Sequence, residues 1–155
     1  MSKAILLFLL FSFVSLKHTK EDYLKATKHC QVNDPLIQSA AAKLRKSSEL
    51  ETAKNIFKHV QKYIDYEKYS DTKRGAVQTL IDKRGNCADQ AHLLVALFRA
   101  AGIPARYVHG TGHYWTQCRV GDTIYDCDPT SSRHKFGKRD DDGKKADRYM
   151  IELKY

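Results

Sequence analysis

The chain has 155 residues and carries 27 Lys and Arg against 18 Asp and Glu, a formal net charge of +9 at neutral pH. That length suits one domain; 42% hydrophobic residues exclude a disordered chain, and the lack of internal repeats excludes a solenoid. The positive surplus attracts polyanions such as nucleic acid, acidic membrane or acidic wall polymer, but no RNP, zinc-finger or helix-turn-helix pattern accompanies it, so specific nucleic-acid recognition is not expected.

Met1-Ser2-Lys3 precedes an apolar run over 4–16, followed by Lys17, His18 and Lys20. A positive start before a run of that length has the form of a signal-peptide hydrophobic region and is too short for a membrane span. Residues 1–20 read as a signal or membrane-associating segment, or else as an element packed on the domain formed by 21–155. The four cysteines, Cys30, Cys87, Cys118 and Cys127, have neither CxxC nor paired-ligand spacing, which argues against zinc. One reactive cysteine and three packing ones is the preferred reading.

Asp34 and Pro35 start a helix that runs to about residue 45. Ser48 and Glu51 form a capping box before a second, in which Ala53, Ile56, Phe57, Val60 and Ile64 recur at helical spacing and form one buried stripe. Residues 63–73, polar and rich in tyrosine, read as a loop. A short helix over 76–83 ends at Gly85, and Asn86 caps the next, which begins near Cys87. Its apolar face of Ala91, Leu94, Val95 and Phe98, widened by Leu93 and Leu97, implies a central buried helix ended by Gly102 and Pro104. Strands follow over 105–108, 114–120 and 123–127, the last two joined by a tight turn at Gly121-Asp122, with a final strand over 149–153. Helices first and antiparallel strands after them define an α+β domain.

Cys87 at a helix N-terminus faces unpaired N–H groups that stabilise a thiolate and could hold an oxyanion. A two-residue turn at Gly121-Asp122 pairs Val120 with Thr123 and, counting outward, sets Trp115 opposite Asp128. His113, Trp115 and Gln117 then share a sheet face with Asp126 and Asp128, and His113 becomes the diagonal neighbour of Asp128. A one-residue slip would separate them. Cys87 as nucleophile, His113 as base and Asp128 as its orienter make a complete set for acyl transfer. His109 and His92 are rival bases and Asp126 the rival orienter. Tyr66, Tyr69 and Trp115 are candidates to line the cleft and bind substrate.

These residues resemble a known family. Arg84-Gly85-Asn86-Cys87-Ala88-Asp89, Leu93, Leu94, Ala96, Leu97 and Arg99, and Ala101-Gly102-Ile103-Pro104-Ala105-Arg106 are similar to the transglutaminase-like core, which is papain-related. Gly112-His113-Tyr114-Trp115 resembles its histidine strand and Asp126-Cys127-Asp128-Pro129-Thr130-Ser131 its aspartate segment. The segments from Tyr23 to Gln31, Arg106 to Thr111 and Thr130 to Arg133 look closer still to the pseudomurein endoisopeptidase domains of methanogens and their viruses. The resemblance implies a papain-like core with N-terminal helices, the nucleophile on a central helix and a small antiparallel sheet. It implies a cysteine peptidase that cuts peptide or isopeptide cross-links of the archaeal pseudomurein wall through a thioester, and that acts as a monomer at the cell envelope, after secretion, or on release during viral lysis. The chemistry requires no cofactor, although the resemblance brings with it a divalent cation such as calcium, for which Asp140, Asp141 and Asp142 offer oxygens without EF-hand spacing. Close relatives carry a longer insertion between His109 and His113, and its shortness here bears on substrate selection. Two other functions fit the same residues: a transglutaminase, in which an amine resolves the thioester, and an inactive wall-binding module.

Overall fold

The computed structural model describes residues 18–140 and 142–154; the apolar run over 4–16 and Asp141 lie outside them. Four helices come first and a four-stranded antiparallel sheet follows, as an α+β chain requires.

Helix α1 (Pro35–Leu44) starts where the Asp34 carboxylate accepts the Leu36 N–H at 2.8 Å. Helix α2 (Glu49–Tyr63) starts where the Ser48 hydroxyl accepts the Glu51 N–H at 3.1 Å. Only that half of the capping box is used in this way, because the Glu51 carboxylate turns to Lys54 at 3.1 Å. The stripe Ala53, Ile56, Phe57, Val60 and Ile64 is buried. Strand β1 (Asp65–Tyr66) follows, then helix α3 (Gly75–Asp82), strand β2 (Arg84–Gly85) and helix α4 (Cys87–Ala100).

Two expectations change here. The tyrosine-rich stretch is not all loop: β1 pairs in parallel with β2, Asp65 with Arg84 and Tyr66 with Gly85. Nor does Gly85 end α3. Lys83 does, in the left-handed conformation at φ 55°, while Gly85 is extended and lies against α4, where an added Cβ would come 2.8 Å from Asp89 Cβ.

Helix α4 is the centre of the molecule, with every residue from Ala88 to Arg99 buried. Its stripe widens to the whole circumference because α1, α2, α3 and the sheet all pack on it. The sheet has the order β5 (Thr123–Cys127), β4 (His113–Val120), β3 (Ala105–Gly110), β6 (Arg148–Met150). Strand β3 runs two residues further than its composition implies. A two-residue hairpin turn, Thr111 at φ 38° and Gly112 at φ 68°, then returns the chain at His113. The last strand is shorter than expected, ending at Met150.

The β4–β5 register is the one set by the Gly121-Asp122 turn: Val120 pairs with Thr123 and Gln117 with Asp126. Pairing stops at Thr116 with Cys127, and Asp128 follows directly. Arg139 and the stretch over 142–147 cover the sheet face that carries Trp115 and Gly110. The stretch approaches so closely that a Cβ on Gly110 would sit 2.1 Å from the Lys145 carbonyl oxygen. Gly110→Ala should therefore push this cover away and cost about 1–3 kcal/mol, read as a lowered midpoint in thermal denaturation. Among the described residues no helix is long and apolar enough to cross a membrane.

Candidate active site

Cys87 opens α4. The Asn86 side chain caps this helix by accepting the Asp89 N–H at 3.0 Å. The Asn86 amide also donates to the carbonyls of Asp71 at 2.6 Å and Tyr69 at 3.2 Å, fixing the loop that precedes the helix. The N-terminus that presents Cys87 is therefore held from outside as well as capped.

His113, at the first position of β4, reaches Cys87 from the sheet. Its Nε2 lies 2.8 Å from Asp128 Oδ2, which leaves Nδ1 for the Cys87 thiol. Burial opposes charge on both residues of this pair, but their hydrogen bond and mutual attraction prevail. Cys87 is lowered from its ordinary value, helped by the N–H groups of Tyr114 and Ala88. Burial likewise disfavours an imidazolium at His113, yet hydrogen bonds to Asp128 and Cys87 raise it to about 9. Both shifts favour the charged pair, thiolate beside imidazolium, over the neutral one. The other cysteines differ: burial raises Cys30 and Cys127. All four are free thiols, and Cys30, Cys118 and Cys127 are buried.

Asp128 is fully buried. Burial would raise its carboxyl, but the His113 and Thr130 hydrogen bonds and nearby charge hold it far below the ordinary carboxylate range. Oδ1 accepts the Thr130 hydroxyl at 2.6 Å and the Thr130 N–H at 3.1 Å. Oδ2 accepts His113 and, at 3.0 Å, Arg139 Nε. His134 Nε2 approaches Oδ2 at 3.3 Å. Because His134 Nδ1 accepts the Asp140 N–H at 2.9 Å, its ring proton lies on Nε2, pointing at the carboxylate.

The rivals are engaged elsewhere. His109 Nδ1 lies 2.7 Å from Asp147, beside β6. His92 is fully buried with Nδ1 2.9 Å from the Tyr107 hydroxyl, and burial and His29 lower it to about 3, so it stays neutral. Asp126 accepts Trp115 Nε1 and Gln117 Nε2, each at 3.0 Å.

The three aromatic candidates separate. Tyr66 is 51% exposed, and burial and the charges of Cys87 and Asp128 raise its hydroxyl. Trp115 is 3% exposed, stacked on His113 on one side and under the Arg139 guanidinium at 3.9 Å. Tyr69 turns inward. Its hydroxyl donates to the Asp89 carboxylate and accepts the Asn86 N–H at 3.1 Å. Burial and the Asp89 bond push it up to about 12.

Sequence reasoning missed the two polar hubs behind these groups. Asp89 is fully buried and takes the Tyr69 and Thr72 hydroxyls and the N–H groups of Lys73, Arg74 and Gly75. The resemblance to Arg84-Gly85-Asn86-Cys87-Ala88-Asp89 included it without giving it a task. Arg139 and His134 come from a charged stretch that reads as solvated surface, with no motif to mark them. Of the acidic run, Asp142 is paired with Arg139 at 2.8 Å and Lys144 at 3.5 Å, and Asp140 with Arg133 at 3.8 Å. Among the described residues no group of His, Cys, Asp and Glu side chains has the arrangement of a metal site.

A buried helix led by cysteine, packed on an antiparallel sheet that carries histidine and aspartate, defines a papain-like core. The family model of the transglutaminase-like superfamily matches residues 38–131, more than half of the chain, and the chain belongs to that superfamily. It is similar to a candidate cysteine protease from Cytophaga hutchinsonii at 25% identity and TM-score 0.66, over 76% of this chain and 44% of that one. It also shares its fold with the periplasmic domain of TgpA from Pseudomonas aeruginosa (18% identity, TM-score 0.57, 71% of this chain and 46% of that one). A candidate protease from Parabacteroides distasonis gives 15% identity and TM-score 0.55 over 70% of this chain and 25% of that one. The chain spans less than half the length of these solved proteins. No curated protein matches it.

Proposed function

We propose that this domain is a cysteine peptidase that hydrolyses peptide or isopeptide bonds through a thioester. The observation that carries the reading is His113, hydrogen-bonded to the buried Asp128 and lowering the Cys87 thiol at the start of α4. The thiolate attacks the amide carbonyl carbon, and the electron pair of the C=O moves to oxygen, where the Cys87 N–H at the start of α4 can receive it. Collapse breaks the C–N bond while protonated His113 gives its proton to the departing amine. His113 then takes a proton from water, the hydroxide attacks the thioester, and Cys87 leaves as the thiolate. Asp128 keeps the ring oriented, Trp115 packs beneath it, and Tyr66 borders the substrate.

The substrate we assign is a peptide cross-link of a pseudomurein-type wall, cut by a monomer at the envelope, after secretion or during viral lysis. This finer reading rests on the sequence resemblance, the positive charge and the apolar segment over 4–16. The periplasmic setting of the TgpA domain agrees with such a location. The steps above call on no metal, and a divalent ion such as calcium is implied by the resemblance alone. Purified protein and its Cys87→Ala variant, incubated with isolated pseudomurein walls, test the reading by mass spectrometry of released peptide amines. Release by the parent alone is expected. Covalent capture of an added primary amine in place of release would instead make the enzyme a transglutaminase, and binding with neither would make it a wall-binding module.

The pH profile has a definite sign. Activity needs the Cys87 thiolate, so it falls as pH drops through the lowered Cys87 value. It also needs the His113 proton, so it falls as pH rises through about 9. A bell with its alkaline limb near that value is expected in initial rates measured across pH; a profile still rising above it would sink the assignment of His113 as the acid.

A further inference from the structure

Helix α2 and the turn over 134–138 enclose a groove of about 500 Å³ that the steps above do not use. Lys54 and Lys58 lie one helical turn apart on one wall, Lys46 precedes α2, and Lys135 belongs to the other wall. All four are exposed. A single carboxylate, Glu51, lines the groove, and Lys54 already holds it at 3.1 Å. The floor is Phe57 and Phe136, edge to face with centroids 6.0 Å apart.

This groove is preformed. Gln61 Nε2 donates to the carbonyls of Ser131 at 2.7 Å and His134 at 3.0 Å, bolting α2 to the facing turn. Lys135 and Lys138 exchange backbone hydrogen bonds at 2.9 and 3.0 Å, so the turn that presents Lys135 keeps its shape. Like charges at i,i+4 on a helix repel, and two further cations share the same trough. An anion lying between the walls would relieve that repulsion.

The floor selects among polyanions. Single-stranded nucleic acid gains affinity by stacking bases on open aromatic faces. Phe57 is 2% exposed, and Phe136 stacks on Tyr125 with centroids 4.9 Å apart, so neither presents a free face. A cationic rim over a shallow apolar floor suits a peptide with carboxylates interspersed among small apolar side chains. The groove also adjoins the site. One of its lining residues is His134, 4% exposed, which approaches Asp128 at 3.3 Å.

We propose that the groove between α2 and the turn over 134–138 docks an acidic peptide segment of the substrate and leads it toward Cys87. That the segment belongs to the substrate rests on the peptidase reading; the binding itself does not.

The test is fluorescence anisotropy of a short labelled Glu-Ala repeat peptide added to the full chain carrying Cys87→Ala, so that hydrolysis does not intervene. Adding Lys46→Glu, Lys58→Glu and Lys135→Glu together should weaken binding about tenfold or more. Lys20→Glu, Lys28→Glu and Lys43→Glu, an equal change of net charge elsewhere, should leave it nearly unchanged. Equal weakening by both sets, no binding by the Cys87→Ala chain, or tighter binding of an oligonucleotide of equal charge would overturn the proposal. Carbodiimide coupling of the peptide to the otherwise unaltered chain gives a readout independent of the charge-reversed variants. Adducts should map to Lys46, Lys54, Lys58 and Lys135, and adducts spread over the surface would count against the groove. Peptide binding here without cleavage of any substrate by the parent enzyme would sink the peptidase reading and leave the groove standing.

Discussion

Cys87→Ala is expected to lower turnover by about 10⁴- to 10⁶-fold while the variant melts at nearly the parent temperature. The size follows from the kind of group removed. Without the sulfur no thioester forms, and what remains is orientation and oxyanion stabilisation by the α4 N-terminus. The fold should survive because Cys87 is the partly exposed member of the four cysteines and the cap that starts its helix belongs to Asn86. His113→Ala should cost a comparable factor, and the double variant should be little worse than either single one, since the two act as a unit. Single-turnover rates of the three variants on one cleavable peptide would measure this. Additive losses would mean that the two side chains work separately.

The largest loss of stability is expected at Asp89→Ala. This carboxylate is fully buried and satisfies two hydroxyls and three backbone N–H groups from the loop before α3 and its first residue, Gly75. Truncation leaves those donors without their acceptor, at about 1–3 kcal/mol for the buried Gly75 N–H and less for the half-buried and exposed ones that water can reach. Loop movement and entering water will recover part of that, so a net cost of about 3–5 kcal/mol is expected, a large share of the roughly 5–15 kcal/mol that holds a domain together. The melting point should fall by about 10 °C. Asp89→Asn should fall less, because it keeps one acceptor oxygen and the shape. Urea denaturation of both variants checks the ordering, and equal losses would mean that packing rather than the hydrogen bonds sets the cost. Activity should fall with Asp89→Ala even where the chain is still folded, because Tyr69 and Asn86 hold Cys87 through the same loop.

The elements that were legible in the sequence are those fixed by local rules. Asp34-Pro35, Ser48 and Asn86 announce three helix starts through the side-chain oxygens that cap them, and Gly121-Asp122 announces a turn whose length sets register. From that register alone His113 and Asp128 fall on one face, and there they are hydrogen-bonded. What stayed hidden depends on partners distant in sequence. The two-residue pairing of Asp65–Tyr66 with Arg84–Gly85 leaves no periodicity to read. The turn between β3 and β4 uses Thr111 at positive φ, a residue type that gives no turn signal. Trp115 and Tyr69 look like cleft residues by type, and type does not announce their partners: one is covered by Arg139, the other bound to Asp89. Arg139 itself reads as one charge in a polar tail until the chain brings it over the sheet.

The two tight hairpins have a consequence for how the molecule forms. Cys87, His113 and Asp128 follow one another along α4, β3, β4 and β5, so the ring closures that unite them are short, and closure entropy grows only with the logarithm of loop length. The helix and the β3–β4–β5 meander can therefore collapse as one early unit. Arg139, which reaches Asp128, the stretch over 142–147 and β6 dock against it afterwards. In pulse-labelled hydrogen exchange the amides of α4, β4 and β5 should gain protection first, so the reacting groups assemble before the guanidinium that completes their surroundings arrives.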